Sequence, residues 1–146
     1  MSRPLLVFAA VLTLAACGRG SETPIVRDAW VRLPAVPGRP AAAYFTLEGG
    51  RRDDALVRVE SAVAGRIELH RQITGHHGMS GMAPLARVEI PAGAKVAFAP
   101  GGRHAMVYAV DPAIRPGTEL PLRFGFASGA TFDAGAKFVA AGAAQP

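Results

Sequence analysis

Leu120-Pro121-Leu122-Arg123-Phe124-Gly125-Phe126 decides the fold class. Four large apolar side chains alternate with a proline, an arginine and a glycine. Leu120, Leu122, Phe124 and Phe126 therefore share one face of an extended segment, and the other three residues face away. The period is two, and no helical period replaces it over a useful length elsewhere beyond residue 25. Outward from this stretch, strands are predicted over Ile25–Arg32, Ala42–Glu48, Ala55–Ser61, Arg66–His70, Leu85–Ile90, Lys95–Ala99, His104–Val110 and Ala136–Ala140. Pro37-Gly38, Gly49-Gly50, Pro91-Ala92-Gly93, Pro100-Gly101-Gly102, Pro116-Gly117 and Ser128-Gly129 separate them as turns. Strands this short, at this spacing, predict an all-β chain folded as an antiparallel sandwich or barrel. Trp30, Tyr44, Phe45, Phe98 and Phe132 are read as core bulk rather than as a ligand-stacking surface.

A chain of 146 residues suits one domain with its own core, and no internal repeat marks a second. Half of the residues are hydrophobic and 18% are charged, which is not the composition of a disordered chain. The net charge of +5 comes mostly from arginines scattered between Arg19 and Arg123. Nucleic-acid binding calls for a concentrated basic face with interleaved aromatics, so that partner class is set aside.

The first residues read as an export signal. Arg3 precedes an apolar run from Leu5 to Ala16 that is short for a membrane span. The run ends Leu14-Ala15-Ala16-Cys17, which resembles the bacterial lipobox. The expected organisation is a lipoprotein signal peptide over residues 1–16, a lipidated Cys17 and polar tether over residues 17–24, the β domain over residues 25–140, and a short tail over residues 141–146. Cys17 is the only cysteine, so once it is acylated any soft metal ligand has to be a methionine. Thioethers resist the oxidation and disulfide capture that thiolates undergo outside the cytoplasm. Gly18, rather than Asp, follows the cysteine, and by resemblance to lipoprotein sorting this favours the outer membrane, facing the periplasm.

Every histidine, and every methionine but the initiator, lies between His70 and Met106: His70, His76, His77, Met79, Met82, His104 and Met106. Imidazole and thioether share one use that carboxylates and hydroxyls do not, which is holding copper, with thioether preferring Cu(I). His104-Ala105-Met106 places two donors at i and i+2 on a predicted strand, on one face, with Ala105 and Val107 directed inward. In Arg66-Ile67-Glu68-Leu69-His70 the same alternation sets His70 off the core face. Met82 follows the glycine-rich stretch Gly75–Gly81 and is expected to swing in from a loop. A lone histidine on a strand is usually a bystander and a lone methionine core filler; the argument rests on their convergence.

The order His70-Arg71, ten residues, Met82, twenty-one residues, His104-Ala105-Met106 resembles the pattern of the periplasmic copper chaperone family written PCu(A)C. Asp28-Ala29-Trp30-Val31-Arg32, Ala41-Ala42-Ala43-Tyr44-Phe45, Asp53-Asp54-Ala55-Leu56, Glu68-Leu69-His70 and Pro100-Gly101-Gly102-Arg103-His104 are also similar to that family, so the resemblance spans roughly Ile25 to Val139. It implies a cupredoxin-like antiparallel β-sandwich of about seven to nine strands. It also implies a non-enzymatic carrier that binds one Cu(I) through His70, Met82, His104 and Met106 and exchanges it with copper-donating or copper-accepting periplasmic proteins. The copper centre of cytochrome c oxidase is the recipient usually discussed. Two departures stand out. Arg71 occupies the place of an optional methionine, and the tail Ala140–Pro146 has no histidine or methionine for a further copper.

His76, His77 and Met79 have no place in that pattern; they form either an auxiliary Cu(II) site or a solvated loop. Asp53-Asp54, beside Arg51-Arg52, is read as turn chemistry and charge pairing rather than acid/base catalysis. An electron-transfer blue-copper centre requires a cysteine ligand that the exported chain lacks outside its anchor. A metal-free structural or adhesive surface lipoprotein is the remaining alternative, and no hydrolase, zinc or phosphate-loop signature stands out.

Overall fold

The structure is a computed structural model that describes residues 20–75 and 78–146. The expected leader, Cys17, and the pair His76-His77 lie outside the described residues. The described chain is all β and contains ten strands: β1 Ile25–Arg32, β2 Ala41–Glu48, β3 Asp54–Glu60, β4 Ile67–Thr74, β5 Ser80–Pro84, β6 Val88–Ile90, β7 Lys95–Phe98, β8 Arg103–Val107, β9 Glu119–Phe126 and β10 Thr131–Val139. They follow one path, β5-β4-β8-β2-β1-β10-β9-β3-β6, with β7 added on β2. The curled sheet closes over a single core, so that β3 comes to lie beside β4.

Ten strands exceed the expected seven to nine. The additional one is β5, in the stretch read as a loop. It pairs antiparallel with a β4 that runs on to Thr74, from His70↔Pro84 to Thr74↔Ser80. The pairing is not wholly antiparallel either, because β1 and β10 run parallel from Trp30↔Lys137 to Arg32↔Val139. β8 ends at Val107 rather than Val110. Ala109 there adopts φ +53, a left-handed conformation that breaks an extended run. The Gly65 amide donates to the Tyr108 carbonyl at 2.8 Å, and a Cβ on Gly65 would lie 2.9 Å from the Ala109 Cβ, so only glycine fits this approach.

The alternation in β9 emerges as read, with Leu120, Leu122, Phe124 and Phe126 all buried. Phe45 stacks on Phe98 with centroids 4.3 Å apart and meets the edge of Phe124 at 4.9 Å. Trp30 and Tyr44 are buried outside this central cluster. Their rings lie 4.6 Å apart, and the Arg32 guanidinium covers both. A bulge between Arg27 and Trp30, with Asp28 at φ +51, sets this phase.

Candidate metal centre

β4 and β8 pair antiparallel in a register that places His70 directly opposite His104 and Glu68 directly opposite Met106. Leu69 faces Ala105 and Ile67 faces Val107 in the same ladder, and Leu69, Ala105 and Val107 are buried. Alternation puts these apolar residues on the inner face, so His70, His104, Glu68 and Met106 share the outer one. On the other side of β4, Met82 pairs with Gln72, two residues along from His70 and on that same outer face. Beyond Met106 the row continues through Ala42 of β2, a side chain that takes up little room beside the thioether.

The structure therefore brings His70, Met82, His104 and Met106 to one patch of one sheet face. It corrects the expectation for Met82, which is held in a strand rather than carried on a swinging loop. The side chain itself remains 55% exposed, because β5 is the last strand of the sheet. Local sequence explains the misreading. Gly81 and Pro84 are poor strand residues that an edge tolerates, and Pro84 leaves one fewer backbone donor free there.

His104 is 8% exposed and is fixed at both ring nitrogens. Nδ1 lies 3.2 Å from the Gly102 carbonyl oxygen, which can only accept, so Nδ1 carries the proton and donates. Nε2 then presents a lone pair, and 3.2 Å from it lies the Met82 sulfur. Burial, opposed by the Gly102 hydrogen bond and reinforced by His70, pushes the imidazolium pKa below its ordinary value, which keeps the ring neutral. Two soft lone pairs thus face each other with no proton between them, an arrangement suited to a soft cation.

The His70 ring stands 6.0 Å from that of His104, centroid to centroid. Its Nε2 contacts the Glu68 carboxylate at 3.3 Å, and its Nδ1 is buried without a hydrogen-bond partner among the described residues. Glu68 in turn accepts from Arg66 Nε at 2.7 Å, and Arg66 lies 3.9 Å over the Tyr108 ring. The Arg66 bond, followed by that of His70, holds the Glu68 carboxyl below the usual carboxylate range. The sequence analysis places Glu68 in a segment similar to the family but gives it no role of its own. The signal was the alternation Arg66-x-Glu68-x-His70, which puts all three side chains on one face.

Among the described residues, no three His, Cys, Asp or Glu side chains converge as metal ligands. Met79 is 72% exposed near the tip of the β4–β5 hairpin, where the Gly75 amide donates to its carbonyl at 2.8 Å. Asp53 and Asp54 accept from backbone amides, Asp53 from Ala92, 39 residues along the chain, at 2.8 Å and Asp54 from the adjacent Ala55 at 2.8 Å. Arg51 pairs instead with Glu22.

Comparison with known proteins adds family and fold. The model of the family described as "Putative lipoprotein LpqE-like" matches residues 25–137. The chain belongs to the LpqE-like family. Among curated proteins, this LpqE-like chain is 26% identical over 114 residues to "Putative lipoprotein Lxx21020" of Leifsonia xyli subsp. xyli, covering 78% of the chain and 68% of the relative. Among solved structures, a copper-bound PCuAC domain from PmoF2 superposes with a TM-score of 0.67 at 20% identity, covering 83% of this chain and 95% of that one. The apo PCuAC domain from PmoF1 gives 0.66 at 23% identity, over 83% and 96%. The solution structure of Cu(I)-DR1885 from Deinococcus radiodurans gives 0.60 at 21% identity, over 86% and 83%. The LpqE-like chain thus has the cupredoxin-like fold of PCuAC domains.

Proposed function

We propose that this protein is a lipid-anchored, non-enzymatic copper carrier that works outside the cytoplasm, in the periplasm, at the outer membrane. It binds one Cu(I) through His70, Met82, His104 and Met106 and passes it to a copper-accepting protein, with a copper centre of the cytochrome c oxidase type as the class of recipient. The observation that carries this reading is the facing of His104 Nε2 and Met82 Sδ across 3.2 Å, beside the His70 ring and in line with Met106. The two imidazoles and two thioethers are neutral donors, so a bound Cu(I) keeps its single charge, which the soft thioethers tolerate. Solved PCuAC domains of the same fold are described as copper-bound, which supports the cargo.

Transfer proceeds by ligand exchange. His104 is buried and locked, whereas Met82 is more than half exposed on the outermost strand. An incoming sulfur or imidazole replaces the Met82 thioether first, and the ion never becomes free in solution. Anaerobic Cu(I) titration against a chromogenic chelator tests the site. Met82→Ala is expected to weaken binding by at least about tenfold, roughly 1.4 kcal/mol, with an unchanged circular dichroism spectrum. X-ray absorption on His104→Ala should lose a nitrogen scatterer and keep sulfur. Flat titrations of the wild type with both copper states would instead favour a metal-free structural or adhesive lipoprotein.

A further inference from the structure

We infer that Glu68 is a positioning residue that fixes the tautomer of His70, so that Nδ1, rather than Nε2, is the nitrogen offered to copper. The inference rests on the metal site proposed above and names a residue and an atom beyond that ligand set.

Three observations carry it. The Glu68 carboxylate lies 3.3 Å from His70 Nε2 and is paired on its other side with the Arg66 guanidinium at 2.7 Å. An ionised carboxylate can only accept, so the contact requires a proton on Nε2. His70 Nδ1 is buried and has no hydrogen-bond partner among the described residues. In the opposite tautomer Nδ1 would be a buried donor with nothing among the described residues to donate to. The Nε2 lone pair would then also point at an anion. That arrangement costs more than a buried lone pair, which a soft cation can satisfy. Finally, His70 and His104 are directly opposed across β4 and β8, with rings 6.0 Å apart.

The two histidines consequently use different nitrogens. At His104 a backbone carbonyl takes the Nδ1 proton and leaves Nε2 as the donor. At His70 a side-chain carboxylate takes the Nε2 proton and leaves Nδ1. Hydrogen bonds of this kind to the distal ring nitrogen orient a metal-binding imidazole and raise its basicity. Arg66 extends the chain, clamped between Glu68 and the Tyr108 ring, so the carboxylate does not turn away.

Long-range 1H–15N correlation spectra of the histidine rings test this on the full chain, first without metal and then with one equivalent of Cu(I). In the wild type, His70 is expected as the Nε2–H tautomer, with its Nδ1 resonance displaced by Cu(I). Glu68→Ala should convert His70 largely to the Nδ1–H form, leave the His104 pattern unchanged, and lower Cu(I) affinity by about tenfold. Glu68→Gln, whose amide oxygen can still accept from Nε2–H, should restore both the tautomer and most of the affinity. Displacement of the wild-type Nε2 resonance by Cu(I), or an unchanged tautomer in Glu68→Ala, overturns the inference and leaves the copper site standing. Absence of any Cu(I) effect on either ring defeats the copper site, whereas the tautomer measured without metal still reports on Glu68.

Discussion

Asp54 ties the start of β3 to the turn between β9 and β10. One carboxylate oxygen accepts from the Ala55 amide at 2.8 Å and the Ser128 amide at 3.0 Å, and the other from the Ser128 hydroxyl at 2.6 Å. Partial burial pushes its pKa up, but the Ser128 and backbone hydrogen bonds outweigh it, and the carboxyl sits below its ordinary value. A carboxylate more acidic in the folded than in the unfolded chain stabilises the fold fully above the unfolded pKa, near ~3.9. That contribution is lost as pH falls through the lower, folded value. Asp54→Ala is therefore expected to cost about 1–2 kcal/mol at neutral pH, discounted for partial exposure. The gap from wild type should shrink progressively below about pH 4. Urea unfolding at neutral pH and at stepwise lower pH checks both the size and the sign. Sequence reads Asp54 only as turn chemistry and charge pairing, and a partner 74 residues away is not legible there, whereas other readings at this scale were open. Two donors at i and i+2, as in His104-Ala105-Met106, share a face of any strand. The partner that selects the His104 nitrogen was not, because Gly102 acts through a backbone carbonyl, and at His70 the alternation puts Glu68 on the right face without encoding its approach to Nε2.

The β4–β5 hairpin shows what an element conceals from sequence. Strands over the core announce themselves by apolar alternation, as β9 does, since each inward residue is buried. Past His70, β4 overhangs the core. Arg71, Gln72, Ile73 and Thr74 are all exposed, and β5 holds Ser80, Met82 and Pro84 in the open. Backbone pairing alone makes these residues a strand, and backbone pairing leaves no hydrophobic period to read. The same overhang carries Arg71 directly opposite Arg103. Among the described residues neither has a carboxylate at ion-pair distance, whereas Arg27, Arg58, Arg66, Arg87 and Arg123 each do. Like charges facing across a ladder are destabilising, and opposite charges contribute about 0.2–1 kcal/mol. Arg71→Glu should therefore raise the thermal midpoint of the metal-free protein, and added salt should shrink the gain. A lower midpoint would show that the arginine stem contributes more by covering the hairpin than its charge costs.

At the scale of the molecule, the curled sheet separates a dry interior from the donors on its outer face. In the middle of its path the parallel pair β1 and β10 joins segments from the two ends of the domain, and strand periodicity does not encode which ends meet. Behind the donors, Leu69, Ala105 and Val107 are sealed, so the register of β4 on β8 is held from the inside. Farther across the core, Phe124 on β9 meets the edge of Phe45, which stacks on Phe98. Phe124→Ala should cost about 3–5 kcal/mol by transfer and cavity terms, a large share of the 5–15 kcal/mol typical of a domain. Cu(I) bound only to the folded form adds stability by mass action, about 2.7 kcal/mol when the free ion stands at a hundred times its dissociation constant. Phe124 is buried in the core on β9 whereas the four donor side chains lie on the outer face of β4, β5 and β8, and sites that share no partners add independently. Urea unfolding with and without buffered Cu(I) should thus give two parallel shifts, with the variant less stable throughout and the copper increment equal to that of wild type. A smaller increment in Phe124→Ala would mean that core packing sets the spacing of His70 and His104, and that the outer face is not rigid by its own register alone.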